Sequence, residues 1–143
     1  MVSMKCAFCQ IIDKKKVADV FYENEDSLVI LDTDWAVKGH SLVIWKPHKL
    51  NASDLSEKEY GKFSKVARQA EAALLKVLSK ERSIILKSGL LVSHFHFHIY
   101  PVDMELSFKE MQEMVGKKHR VNFTETEKKG LLSDLRRAMD FGV

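Results

Sequence analysis

Three histidines stand at alternate positions in one short run, His94, His96 and His98, interleaved with Phe95, Phe97 and Ile99. In an extended strand alternate side chains share a face, and successive same-face residues lie ~6.6 Å apart, twice the rise per residue. The run therefore predicts three imidazoles along one side of a strand and an apolar anchor on the other. A buried strand needs no histidine to fold, so the polar row reads as a working surface. Two chemistries suit it. Three imidazoles can hold a catalytic zinc and leave one position open for water. Alternatively, a neutral imidazole, with an unperturbed pKa near ~6.5, is a nucleophile toward phosphorus at pH 7. A flanking imidazolium then stabilises the phosphoryl charge or protonates a leaving group. A solvated face with coincidental histidines is the bland alternative, and strict alternation of three argues against it.

The two cysteines, Cys6 and Cys9, are separated by two residues. The loop they would close is too small for a useful disulfide staple, which leaves a metal site or a redox dithiol. A redox pair belongs at a helix start that follows a strand, and only five residues precede Cys6. Two thiolates need two further ligands to complete a tetrahedral zinc. His48, just after Pro47, and His94, which opens the histidine run, are the candidates. Two reduced cysteines packed as small hydrophobes remain the alternative. His40 follows Gly39 at a loop-to-strand junction, where an imidazole can reach a cleft or simply face solvent. His119 sits beside Lys117, Lys118 and Arg120 in a basic cluster and receives no role.

The elements that must carry these groups follow from periodicity. Phe8, Ile11 and Ile12 predict a short helix over residues 6–12. Strands are expected over 17–23 and 27–31, joined by an Asn-Glu-Asp turn, and over 41–45, ended by Pro47. Ser56 and Glu59 form a capping-box pattern. Behind it Tyr60, Phe63, Ala67, Ala70, Leu74 and Val77 recur at steps of three and four, a core-facing stripe to about Leu78. Further strands are expected over 82–87 and, for the histidine run, 92–100. Phe108, Met111, Met114 and Val115 suggest a short helix. Thr124 with Glu127 opens a terminal one that carries Leu131, Leu132, Leu135 and Met139. This order predicts an α+β domain, a mostly antiparallel sheet with the long helix packed on one face. Residues 104–143 are expected as a C-terminal helical extension of the domain formed by 1–103.

Of the 143 residues, 45% are hydrophobic, enough for one compact core. No apolar run approaches the ~20 residues of a membrane span, and the start shows no signal-like stretch. A cytoplasmic protein is expected, with no membrane partner. Twenty-three basic against 20 acidic residues leave a net charge of +3. That balance suits an anionic small substrate and gives no reason to expect nucleic acid.

The run from His94 to Tyr100 resembles the signature of the histidine triad (HIT) family, His-φ-His-φ-His-φ-φ with φ apolar. The resemblance extends over most of residues 6–101. Cys6 to Ile12 looks like the family's opening segment. Leu31-Asp32, Gly39 to Ile44 and Lys46-Pro47-His48 follow in the family's order and spacing. The resemblance implies a five-stranded antiparallel sheet, a homodimer, and a purine nucleotide substrate. It implies hydrolase or nucleotidyl transferase activity at the α-phosphate of a dinucleoside polyphosphate or nucleoside phosphoramidate. His96 would be the nucleophile of a nucleotidyl-histidine intermediate. His98 and His40 would contact the α-phosphate, Asp32 the ribose hydroxyls, and Phe8, Ile11 and Leu42 the base. Cys6, Cys9, His48 and His94 would hold a structural zinc. The chain departs from the family between Leu86 and Ser93. That stretch is shorter and lacks the usual asparagine, Gly-Gln pair and aligned hydroxyl. Lys87, Ser88 and Ser93 are its remaining polar groups. The departure motivates a rival reading, a nucleotide-binding or sensing module with little turnover.

Overall fold

The computed structural model describes residues 5–116 and 121–140, so His119 lies outside the described residues. Helix α1 is Ala7–Ile12, followed by strands β1 Asp19–Glu23, β2 Ser27–Leu31 and β3 Ser41–Trp45. Helix α2 spans Glu57–Leu78, and β4 Arg82–Leu86 and β5 His96–Val102 come next. Helices α3, Phe108–Val115, and α4, Glu125–Asp140, close the chain. The strands form one antiparallel sheet in the order β1-β2-β3-β5-β4.

Both faces of the sheet are covered, which is why β2 and β3 are buried at every position. On one face Val29, Leu31, Val43, Trp45, Phe95 and Ile99 meet α2 and α4. The predicted stripe of α2 supplies Phe63, Ala67, Ala70 and Leu74, while Tyr60 stays at the surface. Ser56 accepts the Glu59 amide and Glu59 returns to the Ser56 amide, as expected of the capping box. On the other face Leu28, Ile30, Leu42 and Ile44 pack against Cys6, Phe8, Cys9 and Ile11 of α1 and its N-cap. The histidines belong to this second face. A third cluster at its far end joins Tyr100 and Val102 to Met114 of α3.

Several boundaries differ from expectation for identifiable reasons. Val17 is 94% exposed and lies outside β1, which carries a bulge between Val20 and Tyr22. Strand β4 stops at Leu86, before Lys87. Strand β5 begins at His96, not Val92, and runs past Pro101 to Val102. Ahead of it, the Phe95 amide donates to the Lys49 carbonyl (2.6 Å) and the Phe95 carbonyl accepts from the Trp45 amide (3.3 Å). Those partners take the segment out of the regular ladder. Pro101 is tolerated because β3 begins at Ser41, opposite Ile99, so only β4 pairs that part of β5. The capping box of α3, Ser107 with Glu110, is a signal the sequence reading overlooked.

The tail is not an appendage in packing terms. Leu131, Leu132, Leu135 and Met139 of α4 join the main core, and the Arg136 guanidinium donates to the Val20 carbonyl of β1 (2.9 and 3.1 Å). Leu135 is fully buried. Leu135→Ala is expected to cost about 2–5 kcal/mol in denaturant unfolding, the range for a buried leucine truncated inside a packed core. A change below about 1 kcal/mol would mean that α4 contributes little to that core.

Candidate active site

Helix α1 is too short to hold itself, so its position depends on what its ends touch. Cys6 is the N-cap, with its sulfur accepting the Cys9 amide. The Cys6 thiol lies 3.4 Å from His94 Nδ1, and the Cys9 thiol lies 3.5 Å from the same nitrogen and 3.3 Å from His48 Nδ1. The two Nδ1 atoms are 3.1 Å apart. A tetrahedral zinc with bonds of ~2.0–2.3 Å requires N···N and N···S edges of ~3.3–3.6 Å, so the four donors fit. His94 Nε2–H donates to the Trp45 carbonyl (2.5 Å), which leaves the Nδ1 lone pair aimed at the thiols. Burial also lowers the His94 pKa and favours the neutral ligand form. The set combines two soft sulfurs with two imidazoles, the chemistry of a closed structural zinc site. The Cys6, Cys9, His48 and His94 cluster is thus compatible with zinc.

This arrangement removes one sequence alternative. His94 turns its free nitrogen toward the cysteines, so the three triad imidazoles do not converge on a common ion. The row splits after its first member because His94 precedes the regular strand.

The other two triad rings belong to a hydrogen-bonded chain that assigns one proton to each ring. The Ala36 amide donates to His40 Nδ1 (3.4 Å), so the His40 hydrogen sits on Nε2. That Nε2 lies 2.9 Å from His98 Nδ1 and 3.4 Å from Asp32 Oδ2. His98 therefore carries its hydrogen on Nε2, which donates to His96 Nε2 (3.2 Å). His96 Nδ1–H in turn donates to the His94 carbonyl (2.5 Å). Asp32, His40 and His98 are also close enough to suggest a metal cluster. In this tautomer pattern the His40 hydrogen occupies the position a cation would need.

Burial pushes the His96 and His98 pKa values down to about 4, with neighbouring imidazoles adding to the effect and Asp32 opposing it. Burial also lowers His40. All three rings are neutral near pH 7, as the one-proton chain requires. His96 consequently presents an unprotonated Nε2, fixed by the hydrogen bond behind it.

His96, 3% exposed, lines a cleft of about 250 Å³. Phe8, Ile11, Ile30 and Leu42 give the cleft an apolar wall, while Asp32, Ser88, His96 and His98 supply polar groups. The Phe8 ring stands edge-on to His96 at 4.7 Å. Asp32 is held by the Asp34 amide (3.3 Å) and the Thr33 hydroxyl (3.5 Å). The structure thus gathers Phe8, Ile11, Asp32, Leu42, His96 and His98 around one cavity. His40, expected at the phosphate, is only 4% exposed and does not line the cleft; it backs His98 and Asp32. Tyr100 stacks on His40 at 4.2 Å and was not singled out from the sequence. Its position two residues after His98, on the same strand face, was the available signal.

A family model described as the HIT domain matches residues 13–105. The chain belongs to the HIT family. An uncharacterised HIT-like protein of Methanocaldococcus jannaschii is 34% identical over 100 residues, covering 67% of this chain and 78% of that protein. The protein named hit of Bacillus subtilis is 34% identical over 104 residues, covering 67% and 70%. Among solved structures, a Zn-bound histidine triad family protein from Mycobacterium smegmatis superposes with a TM-score of 0.74 at 25% identity, covering 96% of this chain and 95% of that one. A HIT family hydrolase from Clostridium thermocellum gives 0.63 at 24% identity, covering 74% and 98%. In this HIT protein the cysteine pair and α4 lie outside the segment matched by the family model.

Proposed function

We propose that this HIT protein cleaves a purine nucleotide derivative at its α-phosphorus through a nucleotidyl-His96 intermediate. The observation that carries the reading is His96 in the cleft lining, with its Nδ1–H tied to the His94 carbonyl so that Nε2 keeps its lone pair. The base lies against Phe8, Ile11 and Leu42, and the Asp32 carboxylate accepts from the ribose hydroxyls. His96 Nε2 gives its lone pair to phosphorus. The bond to the leaving group breaks with its electron pair, and that group takes a proton from solvent where its chemistry requires one. The charge gained by the His96 ring is met at Nδ1–H by the His94 carbonyl. His98 Nε2–H, released from His96, donates to the phosphoryl group, and His40 holds His98 in that orientation. Water then adds to phosphorus, the N–P electron pair returns to Nε2, and a proton leaves to solvent. A transferase would use another acceptor in place of water. Cys6, Cys9, His48 and His94 would hold a structural zinc that fixes α1 and the His94 backbone. The working form is read as a cytoplasmic homodimer.

The test is a panel of dinucleoside polyphosphates and nucleoside phosphoramidates, with nucleoside monophosphate release followed by chromatography. Release from at least one class is expected. Tight binding without release across the panel would favour the binding-module reading. That rival draws on the loop before the triad, where Leu90 and Leu91 stand 87% and 82% exposed.

A further inference from the structure

We propose that the Ser88 hydroxyl is a catalytic group of this cleft, donating a hydrogen bond to a non-bridging oxygen of the phosphoryl group attacked by His96. This rests on the hydrolase reading above and adds a residue to it. Three polar side chains occupy the shortened loop, and the structure separates them. Lys87 Nζ is drawn to Asn51 Oδ1 at 2.5 Å. Ser93 Oγ turns back to the Gly89 carbonyl at 3.4 Å. Ser88 lines the cleft together with His96 and His98, and its hydroxyl makes no hydrogen bond among the described residues.

The end of β4 sets the placement. Leu86 is the last β4 residue paired with β5, opposite His98. Leu86 shares the histidine face with His98, and Ser88, two residues beyond the end of β4, lines the same cleft as His96 and His98. The chain leaves β4 at Leu86, and the turn that follows contributes Ser88, Leu91 and Val92 to the cleft lining. The opposite flank of β5 belongs to β3, with His40 immediately before it. A phosphoryl group in the cleft beside His96 would therefore have both His98, backed by His40, and Ser88 in the wall around it. The remaining cleft hydroxyl, Thr33, is engaged with Asp32. Ser88 transfers no proton. It donates to oxygen as negative charge gathers there, and a donor aimed at that charge acts on the transition state more than on the bound substrate.

The experiment uses the full chain and a substrate that the wild type turns over, with the two α-thio diastereomers of that substrate. Ser88→Ala is expected to lower kcat about 10- to 100-fold while KM moves less than about threefold. Ser88→Thr should recover most of the rate, and Ser93→Ala should match the wild type. Sulfur is a poor hydrogen-bond acceptor. The Ser88→Ala loss should therefore be at least about threefold smaller for the diastereomer whose sulfur replaces the oxygen held by Ser88. A kcat for Ser88→Ala within about twofold of wild type, or an equal loss with both diastereomers, would overturn the assignment while leaving the hydrolase reading intact. A wild type that turns over no nucleotide would instead remove both.

Discussion

His96→Ala should bind nucleotide almost as the wild type does and turn over at most about one-thousandth as fast. A thousandfold corresponds to about 4 kcal/mol of transition-state stabilisation. The expectation follows from what the ring contributes. Its Nε2 supplies the bond to phosphorus, and no other nitrogen of the row is free to replace it. His94 Nδ1 points at the cysteines, and both His98 nitrogens already belong to the chain that runs from His40 to His96. Binding depends on other groups, the apolar wall and Asp32. Truncation removes the edge contact with Phe8. Such a contact contributes about 0.5–1.5 kcal/mol, so the dissociation constant should rise by no more than about tenfold. Rapid quench of the wild type during turnover should recover nucleotide on the protein through an acid-labile, alkali-stable bond, as expected for phosphorus on imidazole nitrogen. The variant should yield none. Turnover by His96→Ala within about tenfold of wild type would end the nucleotidyl-histidine mechanism.

The residues that carry this argument were largely visible in the sequence, because strand and helix periods reach the surface of a sequence directly. Alternation placed His96 and His98 on one face, and the three-four stripe of α2 located the buried wall behind Ile99. The split between His94 and the other two was not legible. It depends on the Lys49 carbonyl and the Trp45 amide, which lie far away in the chain and take Phe95 out of the ladder. His40 was visible as a candidate, but its work behind His98 is set by the Ala36 amide, a backbone group that no residue type announces. Ser88 could be named only as one of three polar groups. Its selection required the end point of β4 and the partners of its two rivals. Docking of α4 onto α2 and β1 likewise needs a long-range pairing that an amphipathic pattern does not specify.

Metal removal should produce a large change in stability. The purified protein is expected to carry one zinc per chain, and chelation or Cys9→Ala should release it and lower Tm by about 10 °C. The size follows from linkage. Zinc held at a free concentration about 1,000 times its dissociation constant stabilises the folded form by about 4 kcal/mol. In a domain of this size each kilocalorie moves Tm by roughly 2–4 °C. The loss should be local. Helix α1 is otherwise held by the burial of Phe8 and Ile11 against the sheet, whereas the core between the sheet and α2 and α4 contains none of the four ligands. Circular dichroism should therefore still report folded helices below the new Tm. Acid should mimic chelation, since thiolates and neutral imidazoles are the ligating forms and protonation competes with the ion. The His94 carbonyl is what holds the His96 Nδ1 hydrogen. A released α1 should therefore also lower kcat, through misorientation of a ring that touches none of the ligating atoms. Unchanged zinc content in Cys9→Ala, or a Tm within about 2 °C of wild type after complete chelation, would show that the four side chains do not form a structural metal site.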